Sequence, residues 1–244
     1  MNKKTIIYVI IAILLIAVMI IGILGYIDAR KIKMQAGQIE KITVETLNLT
    51  PVRDGEFEIP VKDWENAAKK AEFIKTELDK FDRMPESLKN DVGKFYSEQA
   101  SKRIKEAEFL QFLIDGQRKI GLQDEVSEKS KGQIETVLAR IGDFKNNFNQ
   151  DKLFFAGSDF DPCILKLQTE EMNFESYLKG LYGKMTYDSR KVTVEATSFN
   201  NAFEELKIKL IESLNDWVLL QEKIKEEISK MGKDIWINPF HPSY

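Results

Sequence analysis

The sequence predicts an all-α membrane protein, in which one N-terminal transmembrane helix precedes an antiparallel bundle of about five long amphipathic helices. Three observations predict this class. Residues 5–27 are apolar and carry no charge. Apolar residues then recur at spacings of three and four along most of the chain, which is the helical period. Pro and Gly are scarce, at 6 and 13 of 244 residues, which disfavours a turn-rich sandwich or barrel.

Residues 5–27 form the predicted transmembrane anchor. A helix of about 20 apolar residues covers the roughly 30 Å hydrocarbon core of a bilayer. Tyr8 and Tyr26 lie near its two ends, where amphipathic rings favour the membrane interface. The run is longer than the apolar core of a signal peptide, and no small-residue cleavage site follows it. We therefore expect an uncleaved signal-anchor.

Charges on both sides of the anchor bear on its orientation. The two lysines within residues 1–4 favour a cytoplasmic N-terminus, whereas Arg30, Lys31 and Lys33 favour the opposite orientation. A single N-terminal span is by default inserted N-in and C-out. The expected protein is thus a single-pass protein of the cell membrane whose C-terminal domain is extracytoplasmic.

Breaks in the apolar pattern divide the chain into six parts: a tail at 1–4, the anchor at 5–27, a juxtamembrane helical stalk at 28–50, a linker at 51–60, a helical bundle domain at 61–232 and an aromatic, proline-containing tail at 233–244. The stalk is expected to be helical because Ile32, Ile39 and Ile42 recur among charged residues. The linker begins and ends with proline and contains the turn signal Asp54-Gly55.

Five stretches of the bundle domain each combine an apolar stripe with a cap, proline or glycine at an end. They are expected at Asp63–Phe81, Pro85–Ile120, Asp124–Phe148, Asp161 to about Gly183, and Ser198–Met231. The last has a heptad-like coiled-coil seam with one polar position, Gln221. We expect Gln221 at a partly exposed edge, the alternative being a device that fixes register. Glu56–Val61 and Lys191–Ala196 alternate in polarity, so one short β pairing is a further option.

Composition excludes most kinds of site chemistry. Outside the anchor and its N-terminal lysines, 34 basic and 39 acidic residues are interspersed, without the basic stripe that nucleic-acid binding needs. A single His within one chain excludes two-His metal sites and di-iron bundles. The glycines are scattered singly, so no phosphate-binding loop exists. We expect no enzyme, and no catalytic, cofactor-binding or metal-binding residue.

Two single residues have side chains that could contradict this expectation. His241 lies in the tail, where a catalytic base would lack a rigid setting. Cys163 follows Pro162 at a predicted helix start, where the helix dipole favours a thiolate. A cysteine nucleophile needs a general base, and His241 is the only histidine. We therefore expect Cys163 to be a buried small residue.

Short motifs also have simpler interpretations. Asp159, Asp161 and Glu170 match the end spacing of a calcium loop, but Ile164 replaces the glycine such a loop needs, which leaves Asp161 as a helix cap. The S-x-x-K match at 176–179 lacks the companion motifs of penicillin-interacting enzymes. The remaining acidic pairs are expected on solvated helix faces; they are Glu170, Glu171 and Glu175 on one helix and Glu204 and Glu205 on another.

The expected function is that of a non-catalytic interaction or scaffold protein of a microbial cell envelope. Its partners would be the lipid bilayer, other envelope proteins and further copies of itself. The alternative is an extracytoplasmic ligand-binding or sensory bundle that signals through a partner, with Trp64, Phe95 and Trp217 lining a cavity. A third reading is an envelope hydrolase that uses Glu171 and Glu175. The tail at 233–244 is read as folding back over the bundle or as a docking peptide.

Overall fold

A computed structural model describes residues 3–56, 58–80, 86–121, 131–183 and 189–234. Every regular element in these residues is helical, which confirms the predicted all-α class. The seven α-helices are α1 (Lys3–Thr46), α2 (Val61–Leu78), α3 (Glu86–Gly93), α4 (Ala100–Ile120), α5 (Lys131–Asp151), α6 (Asp161–Tyr182) and α7 (Ser189–Asp234). A π-helix joins α3 to α4 at Lys94–Gln99, and a 3-10 helix follows α5 at Lys152–Phe155.

The apolar N-terminal stretch is the first half of α1. Among the described helices, α1 is the one long and apolar enough to cross a membrane. Its large apolar side chains between Ile6 and Ile27 are 39% to 70% exposed. Farther along, Ala36, Ile39 and Thr43 are buried. One continuous helix thus changes from an apolar segment exposed on all sides to a segment packed on one side.

The predicted helix over Pro85–Ile120 is helical from Glu86 onward but is not a uniform α-helix. A π-helix, whose hydrogen bonds repeat at five residues, replaces the α-helix over Lys94–Gln99. The expected ends at Phe81 and Pro85 lie outside the described residues, as does the expected start of the next helix at Asp124.

The described residues form two compact units. The first unit comprises those of Met1–Leu49, Asp63–Ala100 and Val218–Tyr244, and the second comprises those of Thr50–Lys62 and Ser101–Trp217. In the first unit, α2 buries an apolar stripe at the predicted helical spacing: Trp64, Ala67, Ala68, Ala71, Ile74 and Leu78. The buried carboxylate of Asp91 on α3 accepts a hydrogen bond from Lys223 Nζ of α7 at 2.5 Å.

In the second unit, α4, α5, α6 and the first part of α7 contact one another in a ring. The contacts between neighbours run in reversed residue order, so each neighbouring pair is antiparallel. Between α4 and α5 the contacts join Phe109 to Phe148 and Phe112 to Phe144, and between α5 and α6 they join Asn149 to Gln168 and Glu135 to Tyr182. Between α6 and α7 they join Cys163 to Glu205 and Phe174 to Phe199, and between α4 and α7 they join Gln117 to Asn200 and Glu106 to Ser213.

The optional β pairing is wrong. The backbone of Lys191–Ala196 belongs to α7, which begins at Ser189 and not at the predicted Ser198, and the described residues contain no strand. Extending a helix adds one hydrogen bond for each residue fixed, without a new nucleation step. An isolated two-stranded pair is at best marginally stable in water. The short alternation of Val192 and Val194 is therefore overridden by the neighbouring helix.

Candidate functional site

Cys163, the candidate nucleophile, is buried between helices. Cys163 is 2% exposed in the first turn of α6, with Sγ 3.7 Å from Glu205 Oε1. Burial raises the pKa of this thiol, which keeps it in the unreactive protonated form. Its predicted role as a buried small residue is confirmed. His241 lies outside the described residues.

The acidic residues at the start of α6 form no metal site. Within the described part of the chain, no group of three or more His, Cys, Asp or Glu side chains is arranged to hold a metal ion. Asp161 is the first residue of α6, and its Oδ2 accepts a hydrogen bond from the backbone N–H of Gly157 at 2.6 Å. The predicted capping role of Asp161 is therefore wrong, because the carboxylate closes the preceding turn instead.

A cluster of two carboxylates and two lysines joins α5 to α6. Lys145 Nζ lies 3.3 Å from Glu171 Oε1 and 2.9 Å from Glu175 Oε2, and Lys179 Nζ donates to Glu175 Oε1 at 2.5 Å. Burial raises the pKa of Glu171, whereas hydrogen bonds from Lys179 and Lys145 lower the pKa of Glu175 to about 2. Glu171 is 5% exposed, so its predicted position on a solvated face is wrong.

Opposite pKa shifts in neighbouring carboxyls are typical of acid–base catalytic pairs. Here both carboxyls bind the same lysine, and that lysine belongs to the adjacent helix. The lysines account for the lowered pKa of Glu175, burial accounts for the raised pKa of Glu171, and the bonds from Lys145 fix α6 against α5. Lys179, the lysine of the S-x-x-K match, is bound to Glu175 and not to the exposed Ser176. The arrangement is that of an interhelical ion-pair cluster.

A second polar set lies between α4 and α7, and the sequence reasoning missed most of it. Glu106 is fully buried and accepts hydrogen bonds from Arg103 Nη1 and Ser213 Oγ, both at 2.8 Å. Gln117, 2% exposed, donates to Asn200 at 2.7 Å and to Glu204 at 2.5 Å.

The spacing along α4 contained a signal for these buried polar residues. Glu106 and Gln117 fall in one stripe of spacings four and three with the buried apolar residues Leu110, Leu113 and Ile120. Polar side chains within such a stripe are buried because the helix periodicity places them there. A buried polar group needs a hydrogen-bond partner. The bonds of Glu106 and Gln117 to residues of α7 therefore fix how α4 is aligned with α7.

Side-chain amides hold the extended segment that follows α1. In the first unit, Gln221 Oε1 accepts from the backbone N–H of Leu49 at 2.9 Å, and its Nε2 donates to the Leu49 carbonyl at 3.3 Å. In the second unit, Asn215 makes the same pair of bonds with Val52, at 2.8 and 3.0 Å. Gln221 is fully buried, so its predicted position at an exposed edge is wrong.

A groove of about 460 Å³ opens between α4 and α5. Phe112 and Phe144 form its floor, with ring centroids 5.2 Å apart and planes 5° from parallel. Charged and amide side chains line its rim: Asp115, Lys119, Arg140, Asp143, Asn146 and Asn147. Within the described residues, neither Lys119 nor Arg140 forms an ion pair. This groove does not contain the aromatic residues expected to line a cavity, since Trp64, Phe95 and Trp217 are at most 1% exposed.

Comparison with known proteins adds no relative: no protein-family model, curated protein or solved structure matches the chain. The described polar clusters bind helices to one another and the amides bind the extended segment. The groove and the apolar half of α1 are two described surfaces that are open to another molecule.

Proposed function

We propose that the protein is a membrane-anchored, non-catalytic interaction or scaffold protein of a microbial cell envelope. The observation that carries the proposal is the surface of α1. Of the 27 large apolar side chains that are exposed in the described residues, 18 lie between Ile6 and Ile27. Contiguous apolar patches on monomeric soluble proteins are usually below about 600 Å². A helix that is apolar on all sides is stable in hydrocarbon.

The second half of α1 supports an anchoring role. Ala36, Ile39 and Thr43 are buried, so the anchor and part of the first unit share one helix. In this proposal, the residues from 61 to 232 form one helical domain that α1 holds outside the membrane, with N-in and C-out orientation. The polar clusters support a non-catalytic role, because their carboxylates are bonded to side chains of their own helix and of the adjacent one.

Exposed apolar residues on the second unit support contacts with envelope proteins or with another copy. Leu153 and Phe154 are 70% and 54% exposed in the turn between α5 and α6. Their neighbour Phe155 is 3% exposed and packs against Phe109. In a cross-linking experiment, Leu153 and Phe154 are therefore exposed test positions, and Phe155 is a buried control.

Membrane anchoring is tested by fractionating cells that produce the full chain or a chain lacking residues 5–27. We expect the full chain to stay with membranes after carbonate extraction and the shortened chain to be released. Release of the full chain by carbonate would contradict the anchor.

Partner contact is tested with a photo-cross-linking amino acid in intact cells. At Leu153 or Phe154 we expect a discrete adduct, either with one envelope protein or with a second copy of the chain. At Phe155 we expect none, because its side chain is enclosed. Absence of adducts at all three positions, with the chain folded and in the membrane, would count against an interaction role for this turn.

The groove favours the alternative of a ligand-binding or sensory bundle. Its volume of about 460 Å³ lies within the range of small-molecule sites, and its lining combines two stacked aromatic rings with Lys119 and Arg140, which form no ion pair within the described residues. A ligand at 100 times its dissociation constant stabilises a protein by about 2.7 kcal/mol. A thermal-shift screen of the solubilised chain therefore detects such a ligand. The increase in thermal stability caused by a ligand of the groove should be lost in Lys119→Ala and in Arg140→Ala. It should persist in Lys152→Ala, because Lys152 lies outside the groove.

A further inference from the structure

The groove between α4 and α5 is lined by two carboxylates, and one of them is already bonded within its own helix. Asp115 Oδ1 accepts a hydrogen bond from Arg118 Nη2 at 2.8 Å, and its Oδ2 accepts one from Gln111 Nε2 at 3.1 Å. Both oxygens of Asp115 are therefore occupied, and its charge is balanced by that of Arg118.

The other three charged groups of the groove lining form no ion pair with any residue that the structure describes. They are the carboxylate of Asp143 and the cations of Arg140 and Lys119. Asn147 Nδ2 bonds the backbone carbonyl of Asp143 at 3.1 Å and so leaves its carboxylate free. All three charged side chains are exposed, so a ligand can reach them from solvent.

The antiparallel arrangement of α4 and α5 gives the groove a cationic end and an aromatic middle. Phe112 and Phe144 stack across the two helices with ring centroids 5.2 Å apart. At 1.5 Å per residue, Lys119 lies about 10 Å beyond Phe112 and Arg140 about 6 Å beyond Phe144, in the same direction. Asp143 immediately precedes Phe144, so it lies at the level of the rings.

The spacing of Arg140 and Asp143 suits a ligand that carries both charges. Residues at this spacing on a helix are neighbours, with Cβ atoms about 5–6 Å apart. Arg140 and Asp143 nevertheless do not pair with each other. A guanidinium binds a carboxylate through two parallel hydrogen bonds, and a carboxylate accepts hydrogen bonds from an ammonium group. An α-amino acid has both groups on one carbon and can therefore bond both residues.

The floor of the groove suits an aromatic side chain on that amino acid. Phe112 is partly exposed, whereas Phe144 is 5% exposed and stacks against it. Aromatic rings favour offset-stacked or edge-to-face contacts with one another. The volume of about 460 Å³ lies in the lower half of the range of small-molecule sites, which is suited to a ligand with a single side chain.

We propose that this groove binds a free aromatic α-amino acid. Its carboxylate bonds Arg140 and Lys119, its ammonium group bonds Asp143, and its ring packs on Phe112. This inference rests on the ligand-binding alternative described above and names the class of ligand. The site lies entirely within the second unit, so it adds a function that the anchoring role of α1 does not require.

Isothermal titration calorimetry of the full chain in lipid nanodiscs tests the proposal with four ligands. L-phenylalanine carries all three groups, whereas 3-phenylpropanoate lacks the ammonium group, 2-phenylethylamine lacks the carboxylate and L-alanine lacks the ring. We expect one site for L-phenylalanine and a Kd about tenfold higher, or more, for each of the other three. Equal binding by any of the three would overturn the proposal. So would the absence of binding by L-phenylalanine, L-tyrosine and L-tryptophan alike.

Two variants test which residue meets which group of the ligand. Arg140→Gln should raise the Kd of L-phenylalanine about tenfold and leave that of 2-phenylethylamine unchanged, because this ligand has no carboxylate to lose. Asp143→Asn should likewise raise the Kd of L-phenylalanine and should not weaken the binding of 3-phenylpropanoate. Lys152→Gln and Asp151→Asn are the matched controls, since they remove the same charges outside the groove lining and should leave every Kd unchanged.

Binding of L-phenylalanine that neither Arg140→Gln nor Asp143→Asn weakens would place the ligand elsewhere and overturn the proposal. Circular dichroism checks that each variant is folded, and where one is not, the four ligands on the parent chain decide. A thermal-shift ligand of different chemistry that depends on Arg140 would preserve the ligand-binding alternative and overturn this choice of ligand class. Carbonate extraction tests the anchor separately, so failure of the amino-acid site leaves the anchoring role intact.

Discussion

At the scale of single residues, Gly116 on α4 shows how closely the second unit is packed. A Cβ atom at this position would lie 2.6 Å from Phe144 Cδ2 and 2.8 Å from Cε2. The Phe144 ring has little freedom to move, because it also contacts Phe148 and Phe203 at centroid distances of 5.2 and 5.0 Å. Glycine is required here by close approach of two helices and not by an unusual backbone angle.

We therefore predict that Gly116→Ala destabilises the protein by about 1–3 kcal/mol, the usual cost of forcing extra volume into a packed core. Gly142→Ala on α5 is the matched control, since its Cβ would meet no atom within 4 Å. That change should stabilise the helix by about 0.5–1 kcal/mol. Denaturant unfolding of the solubilised chain, followed by circular dichroism, measures both. Equal effects from the two substitutions would contradict the packing argument.

Glu175 links the stability of the second unit to pH. Its pKa in the folded chain is about 2, below the usual value of 4.5, because Lys179 and Lys145 bond the ionised form. A lowered carboxyl pKa contributes stability that is complete above about pH 4.5 and is lost as the pH falls towards 2. The neighbouring Glu171 acts in the opposite sense, since burial raises its pKa.

We predict that Glu175→Gln lowers the free energy of unfolding by about 2 kcal/mol at pH 7. Near pH 2 the variant and the parent should be almost equally stable. Exposed Glu212 provides the control, because Glu212→Gln should stay within about 0.5 kcal/mol of the parent at every pH. The difference in the free energy of unfolding between Glu175→Gln and the parent should therefore depend on pH. If it is constant from pH 7 to pH 2, the ion pairs are not its source.

At the scale of elements, α7 stabilises an extended segment as well as packing against helices. The backbone of Leu49 has neither a helix nor a sheet to satisfy it, and Leu49 itself is 6% exposed. The fully buried Gln221 amide supplies one acceptor and one donor to it. A buried amide matched to one residue's N–H and carbonyl fixes where the chain leaves α1.

We predict that Gln221→Met, which keeps the approximate volume and removes both bonds, destabilises the protein by about 1–3 kcal/mol, the cost of leaving buried backbone groups unbonded. Gln150→Met on the exposed face of α5 is the control and should be nearly neutral. Hydrogen exchange should accelerate at the Leu49 amide. The Ile59 amide, bound by Gln111 at 2.7 Å, should keep its protection. Unchanged protection at Leu49 would rule out this role for Gln221.

At the scale of the whole molecule, the side of the membrane on which the helical domain lies determines which partners are available. Ser176 is exposed on α6 and is suited to labelling. In a Cys163→Ser background, we predict that a cysteine at Ser176 reacts with a membrane-impermeant maleimide in intact cells, as the N-in and C-out orientation requires. The parent chain is the control, because its one cysteine is buried. Labelling only after lysis would place the domain in the cytosol.

Local patterns were sufficient to predict the all-α class, the apolar half of α1 and the stripe of α2. These features depend on a period of 3.6 residues and on proline and glycine breaks, which each stretch of sequence contains by itself. The burial of Cys163 was predicted as well, because the one histidine of the sequence, His241, lies in the tail.

The bonding partners of Glu106, Glu171 and Gln221 were decided only by tertiary structure. Each was expected to be solvated or was overlooked, and each is buried with partners far away in sequence: Ser213 for Glu106, Lys145 for Glu171 and Leu49 for Gln221. The sequence by itself determined the all-α class and which stretch is suited to lipid, because those properties are local. Which polar side chains are buried depended on which helices meet, because a polar group can leave water only where a distant residue offers it a hydrogen bond.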